Sequence, residues 1–268
     1  MKAIFTKLLF ASALAGVALN GLAVDFRRGR MGRDRGRYSP PPSERPDRAI
    51  LEDKNLVRKR FHGSTGELQY CEFAENPELK TAPILVLVLH GKNGSGSDNT
   101  QQLSTPAIGP FLEYVRKNRI KAVLLLPQCP QRRGWVDDDM MKLVVEFFDA
   151  KSREFRTPPE KRLLTGFSMG GGACFLLAAK VPSRFSKILV VSAAGLPEMA
   201  KGVRGSFYIA IGEADRVISA ANAEKMAKAL RDNGSNVQLE ILPGKDHVGG
   251  GRAAYRGRAR EWLFAAGK

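Results

Sequence analysis

Three residues at separate places in the chain, Ser168, Asp215 and His247, have the types needed for acyl transfer. Ser168 lies in Gly166-Phe167-Ser168-Met169-Gly170, which fits the pattern G-x-S-x-G. A serine hydroxyl is a weak nucleophile until a base takes its proton, and it must project from the backbone to meet a substrate. A tight strand-to-helix turn exposes it and aims the first helical N–H groups at charge developing on the substrate oxygen. The blander reading is a Gly-Ser turn with Ser168 as a helix cap. Arg162–Thr165 reads as a strand before the motif and Gly171–Lys180 as a helix after it. That placement favours the nucleophile.

The sequence holds three histidines, His62, His90 and His247. A nucleophile on such a turn takes its acid and then its base from later strand ends, so His247 is the candidate base. It stands in Lys245-Asp246-His247-Val248-Gly249, after the last strand-like run. The acid should follow the preceding strand, where Gly212-Glu213-Ala214-Asp215 occurs. Asp215 is preferred to Glu213 because the G-x-x-D turn carries its carboxylate beyond the strand end. Asp246 adjoins the histidine and is poorly placed to hold its ring. An early glycine loop, Leu89-His90-Gly91-Lys92-Asn93-Gly94, can supply a second backbone donor. The N–H groups of Lys92 and Met169 are therefore the expected oxyanion hole. That loop is not a nucleotide site, because it has neither the order G-x-x-x-x-G-K-S/T nor a third glycine for the dinucleotide pattern. Asp137-Asp138-Asp139 reads as a helix start rather than a metal site. No metal or organic cofactor is expected.

The elements that must position these residues alternate. Strands are predicted at Leu68–Ala74, Ile84–His90, Ala122–Pro127, Arg162–Thr165, Lys187–Ser192, Ser206–Ile211 and Val237–Leu242. Helices are predicted near 109–118, 138–150, 169–180, 220–232 and 252–265. Continuous apolar runs such as Ile84-Leu85-Val86-Leu87-Val88-Leu89 suit strands buried on both faces of a parallel sheet. The expectation is one α/β domain, a doubly wound, mostly parallel sheet with helices on both faces.

From about Cys71 to the C-terminus the chain resembles secreted serine esterases of the α/β-hydrolase fold. Within them it is similar to the branch of feruloyl esterases, polyhydroxybutyrate depolymerase-like enzymes and predicted peptidases. The matching strings are L-H-G at 89–91, S-D-N at 97–99, P-Q-C-P at 127–130 with Trp135 after it, G-F-S-M-G-G at 166–171, G-E-A-D at 212–215 and the His247 loop. The resemblance implies that Gly91, Gln128, Cys129 and Trp135 line the substrate site; the alternative for Trp135 is a buried plug. One departure is Val248-Gly249-Gly250-Gly251, where relatives often carry an aromatic residue. Ala193–Gly205, too short for a helical cap, implies a site without a lid. Such a site should favour short acyl chains, or bulky aryl or sugar esters resting on Trp135.

Composition sets the frame. The chain has 268 residues, net charge +16 and 43% hydrophobic residues, so a wholly disordered chain is excluded. Residues 1–23 read as a cleaved secretory signal, with Lys2 and Lys7 before an apolar run too short to span a bilayer. The expected location is secreted or periplasmic. Residues 24–60 read as an Arg/Pro-rich tail or linker, and 61–268 as the catalytic domain. Six arginines between Phe26 and Tyr38 predict electrostatic contact with anionic envelope polymers. Export argues against a nucleic-acid partner. Three cysteines are too few for a disulfide-built fold. Cys174, in the predicted helix behind the serine, reads as a small buried apolar residue. The chemistry expected is hydrolysis of short-chain, aryl or glycan esters through an acyl-enzyme. The other readings are a serine peptidase of the same fold and a non-catalytic binding protein.

Overall fold

The structure, a computed structural model, describes residues 45–265. The expected signal at 1–23 and the arginine run at 26–38 lie outside the described residues. Seven helices and eight strands follow among the described residues: α1 (Arg48–Leu51), β1 (Leu56–Gly63), β2 (Gly66–Glu75), β3 (Ile84–Leu89), α2 (Ile108–Lys117), β4 (Ala122–Pro127), α3 (Asp138–Glu154), β5 (Arg162–Phe167), α4 (Met169–Lys180), β6 (Lys187–Val191), β7 (Ser206–Gly212), α5 (Ala220–Asp232), β8 (Asn236–Leu242), α6 (His247–Ala254) and α7 (Arg258–Phe264). The strands form one sheet in the order β1-β2-β4-β3-β5-β6-β7-β8. β1 and β2 run antiparallel to their neighbours, and β4 through β8 are parallel.

β3 shows why the apolar runs are continuous. Leu85, Leu87 and Leu89 enter the core under α3, α4 and α5, while Val86 and Val88 enter the core under α2, α6 and α7. Successive side chains point to opposite faces, so a strand covered on both sides has no polar position to spare. The chain steps from β3 to β4 on one side and then to β5 on the other. The loops after β3 and β5 therefore part at a topological switch point, where open parallel sheets bind ligands. Ser168 and the glycine loop sit there. Between β6 and β7 the chain makes only a 3-10 turn at Pro197–Ala200. No cap is inserted there.

Two sequence expectations need correction. Residues before 61 carry regular structure, with α1 capped by the Asp47 side chain and β1 starting at Leu56. β1 is an edge strand carrying Arg58, Lys59, Arg60 and His62, and its burial alternates instead of running apolar. It therefore resembles the basic tail in composition while pairing with β2 from Leu56↔Phe73 to Gly63↔Gly66. The helix predicted near 252–265 is two helices, broken before Gly257. The first begins at His247 in a glycine run with poor intrinsic helix propensity. Tertiary packing explains those glycines: a Cβ at Gly250 would press on the Gly212 backbone, and one at Gly251 would meet Phe167 and Pro106.

Candidate active site

Ser168 is the residue between β5 and α4, with φ 53° and ψ −115°. For a residue with a Cβ this is a strained conformation that surrounding structure must enforce. Close backbone packing enforces it. A Cβ on Gly166 would overlap the Gly170 carbonyl, and one on Gly170 would overlap the carbonyl of Leu89. Helix α4 therefore starts hard against the ends of β3 and β5. Its first turn leaves the Met169 N–H without an intrahelical acceptor.

The structure brings the three separated residues together. His247 Nε2 is 2.9 Å from Ser168 Oγ, and His247 Nδ1 is 2.8 Å from Asp215 Oδ2. The carboxylate can only accept, so Nδ1 carries the proton and Nε2 presents its lone pair to the serine hydroxyl. Asp215 is itself held, its Oδ1 accepting N–H bonds from Val217 at 2.8 Å and Ile218 at 2.9 Å. Its side chain is fully buried, whereas the His247 side chain keeps 16% exposure. The neighbouring acids point elsewhere. Glu213 accepts from Gly244 N, and Asp246 caps α6 by accepting from Gly249 N at 2.7 Å. Phe167 flanks the His247 ring at 5.2 Å, and Ser192 Oγ donates to the His247 carbonyl.

The glycine loop after β3 lies against the serine: a Cβ built on Gly91 would be 3.4 Å from Ser168 Cβ. Lys92 opens a 3-10 turn, Lys92–Gly94, so its N–H, like that of Met169, has no earlier carbonyl of its own turn to bond. His90 holds this loop, a role the sequence reading missed. His90 Nε2 accepts from Cys129 N at 3.0 Å, which places the proton on Nδ1, and Nδ1 donates to Gly91 O at 2.6 Å. Burial pushes the His90 imidazole down to about 4, with the nearby Lys92 charge acting in the same direction against the Gly91 bond. It is neutral at ordinary pH. The available signal was a histidine placed immediately before Gly91 at a strand end.

Of the four residues expected to line the substrate site, Gln128, Cys129 and Trp135 are buried away from it. Trp135 is 1% exposed, packs at a tilt against His90 with 4.9 Å between ring centroids, and donates its indole N–H to His90 O at 3.0 Å. Gln128 is buried, accepting from Asn99 N and donating to Asp98 Oδ1 at 2.7 Å and to Gly94 O. Cys129 is fully buried, and its backbone bonds His90 Nε2 and Gly96 N. These three support the glycine loop from behind and offer substrate no surface. The reason is stereochemical: the polar groups of an indole and a primary amide, once buried, must find partners, and the loop backbone supplies them. Gly91 is buried but adjoins Ser168 directly.

The cysteines Cys71, Cys129 and Cys174 are buried free thiols, and burial raises all three above their usual range. Asp138 and Asp139 stand in the first turn of α3 behind the N-cap Asp137. Among the described residues no three metal-ligating side chains converge, and no helix is long and apolar enough to cross a membrane.

Solved structures share this architecture. A thermostable esterase superposes with a TM-score of 0.70 at 21% identity, covering 80% of this chain and 64% of that one. The chain has the α/β-hydrolase fold. A mutant of the feruloyl esterase module from Clostridium thermocellum, complexed with sinapinate, shares the fold with a TM-score of 0.59 at 14% identity, covering 86% and 94% of the two chains. Residues 131–251 match the model of the dienelactone hydrolase family. A curated relative from Aquifex aeolicus (strain VF5), named "Putative carboxymethylenebutenolidase", is 26% identical over 130 residues. That match takes in 41% of this chain and 55% of the relative, so it spans about half of the relative's length.

The His90 geometry has a consequence for stability. An unfolded histidine titrates near 6.5, whereas this one accepts a proton only near 4. Between those values the unfolded state binds more protons, so the contribution is complete above about 6.5 and is lost as pH falls to about 4. A urea midpoint series from pH 7 to pH 4 should fall steeply through this window. His90→Gln should be less stable at pH 7 and show a shallower slope. A parallel slope in the variant would show that other groups set the acid limb.

Proposed function

We propose that this chain is a serine hydrolase of carboxylic esters, with Ser168 as nucleophile, His247 as general base and acid, and Asp215 as the orienting carboxylate. The observation carrying this reading is the continuous bonded path from Ser168 Oγ through His247 to Asp215, starting at a serine held in strained geometry. As Ser168 attacks an ester carbonyl, His247 Nε2 takes its proton and Asp215 stabilises the imidazolium formed. The Lys92 and Met169 N–H groups stabilise the oxyanion, each such donor being worth about 3 kcal/mol in comparable sites. His247 returns the proton to the leaving alcohol, and water, activated by the same imidazole, releases the acid. The dienelactone hydrolase match over 131–251 and the esterase neighbours support an ester substrate over a peptide. The uncapped β6–β7 connection supports an open site, and the character of residues 1–23 supports export. A panel of p-nitrophenyl esters, acetyl-xylan, methyl ferulate and a peptide tests the assignment. Cleavage of the peptide alone would assign a peptidase, and no cleavage of any member would leave a binding protein.

Chain-length preference follows from the walls. With Trp135 buried, the apolar side chains beside the triad in sequence are the exposed Val217 and Val248 and the half-buried Phe167 and Met169. So small an apolar wall cannot bury a long acyl chain, at about 0.8 kcal/mol per methylene. Acetyl to butyryl esters should have the highest kcat/KM, with no rate jump at the micelle threshold. An optimum at octanoyl or longer would contradict the open site.

A further inference from the structure

We propose that a cleft on the β1 side of the sheet is a distal subsite for a carboxylate-bearing polysaccharide, whose ester group reaches Ser168. The inference rests on the ester-hydrolase reading and extends it to the polymer carrying the ester.

The cleft has a volume of about 480 Å³ and is bordered by Arg58, Lys59 and Arg60 on β1, Gln69 on β2, and Ser97, Asp98 and Asn99 in the loop beyond the glycine turn. Arg58 stands opposite Cys71 and Arg60 opposite Gln69. Alternation along a strand puts the Arg58 and Arg60 side chains on one face, that of α2, while Lys59 borders the cleft with its backbone, which accepts from Asn99, and its ammonium pairs with Glu72 at 2.7 Å. Donors are left unspent. Arg58 uses only Nε, on Asn99 O at 3.2 Å, and its terminal amines meet no carboxylate among the described residues. The half-buried Gln69 amide and the Ser97 hydroxyl have no protein partner there. Arg60 touches Glu67 only at 3.5 Å and remains 64% exposed. The opposing charge is Asp98, whose Oδ1 is taken by Gln128 Nε2, Thr100 N and Gln101 N. Guanidinium forks match carboxylates in bidentate fashion, and an amide with a hydroxyl suits sugar hydroxyls.

Position decides the kind of ligand. Gln128 N donates to Gln69 O, so the cleft lies at the carboxyl edge of the parallel strands, the edge that carries Ser168. β2 and β1 are three and four strand steps from β5, roughly 14–19 Å at about 4.8 Å per step. A small ester cannot touch both places. A chain of several sugars can, with its acidic groups in the cleft and its ester at the serine.

The test measures binding rather than turnover, so it is independent of the esterase assignment. Full-length Ser168→Ala is titrated calorimetrically with de-esterified polygalacturonate at physiological ionic strength. Adding Arg58→Ala with Arg60→Ala should weaken binding about tenfold or more, since charged hydrogen bonds are being removed. Gln69→Leu, which changes no charge, should weaken it several-fold. Lys117→Ala with Lys225→Ala removes the same charge from exposed sites on α2 and α5 and should change it less than about twofold. Melting temperatures confirm that each variant is folded. Equal losses from the two double variants, no binding by the parent, or equal affinity for polyphosphate would overturn the proposal. Ser168-dependent ester hydrolysis would stand through any of those results.

Discussion

Ser168→Ala should lower kcat on a soluble ester by on the order of 10⁶-fold while the protein stays folded. The nucleophile is lost, and the helix dipole and backbone donors that remain act only on a bound ester with nothing to attack it. Asp215→Asn should cost less, on the order of 10⁴-fold. The Val217 and Ile218 N–H groups still hold the side chain, but an amide favours the wrong His247 tautomer. Asp246→Asn should be nearly silent, because asparagine caps a helix about as well as aspartate. Asp246→Ala should cost about 1 kcal/mol of stability, since Asp246 begins the helix that carries His247. The order Ser168 over Asp215 over Asp246 in loss of kcat is the expected result. Turnover surviving in folded Ser168→Ala would remove Ser168 as nucleophile, and a larger loss at Asp246 than at Asp215 would move the acid.

The second large effect is on folding. Gly170→Ala should destabilise by more than about 4 kcal/mol, a large part of the 5–15 kcal/mol typical of a domain. Its Cβ would overlap the backbone carbonyl of Leu89 and crowd that of His90. Backbone at the end of β3 cannot move without breaking the parallel pairing that runs through Leu89↔Gly166. Two positions along, Gly172→Ala should stabilise by up to about 1 kcal/mol. A Cβ there meets nothing within 4 Å, and alanine is the better helix former. Urea midpoints of the two single variants make the comparison. If Gly170→Ala melts with the parent, the close approach of α4 to β3 is not what fixes the serine turn.

The contrast between those glycines shows where reading the sequence stops. Gly166, Gly170 and Gly172 are the same letter in one short stretch. The G-x-S-x-G spacing marks the first two, but only the packed strand ends distinguish a glycine that must be one from a glycine that need not be. The central strands were legible because burial on both faces demands unbroken apolar runs, and β4, predicted at Ala122–Pro127, spans those residues. The order serine, acid, histidine was legible for a related reason, since each falls at the end of a recognisable strand. β1 was not, because an edge strand facing water has the basic composition of a tail. Nor was α6, whose glycines weaken helix propensity while allowing close packing against β7 and Phe167.

The family resemblance placed Gln128, Cys129 and Trp135 against substrate, with a buried plug as the other reading of Trp135, and the structure buries all three. A motif records that residues must lie near a site, not which side of a loop they occupy. Tertiary structure set that side by hydrogen-bond accounting. Once the Trp135 indole, the Gln128 amide and the His90 ring are buried, each needs a partner, and the backbone of the glycine loop and its flanks satisfies all three. By itself the sequence determined the nucleophile candidate, the alternating elements and their order along the chain. Only the folded chain could bring Ser168, Asp215 and His247 within hydrogen-bond distance of one another, because those contacts join residues far apart in sequence and depend on how the strands are ordered across the sheet.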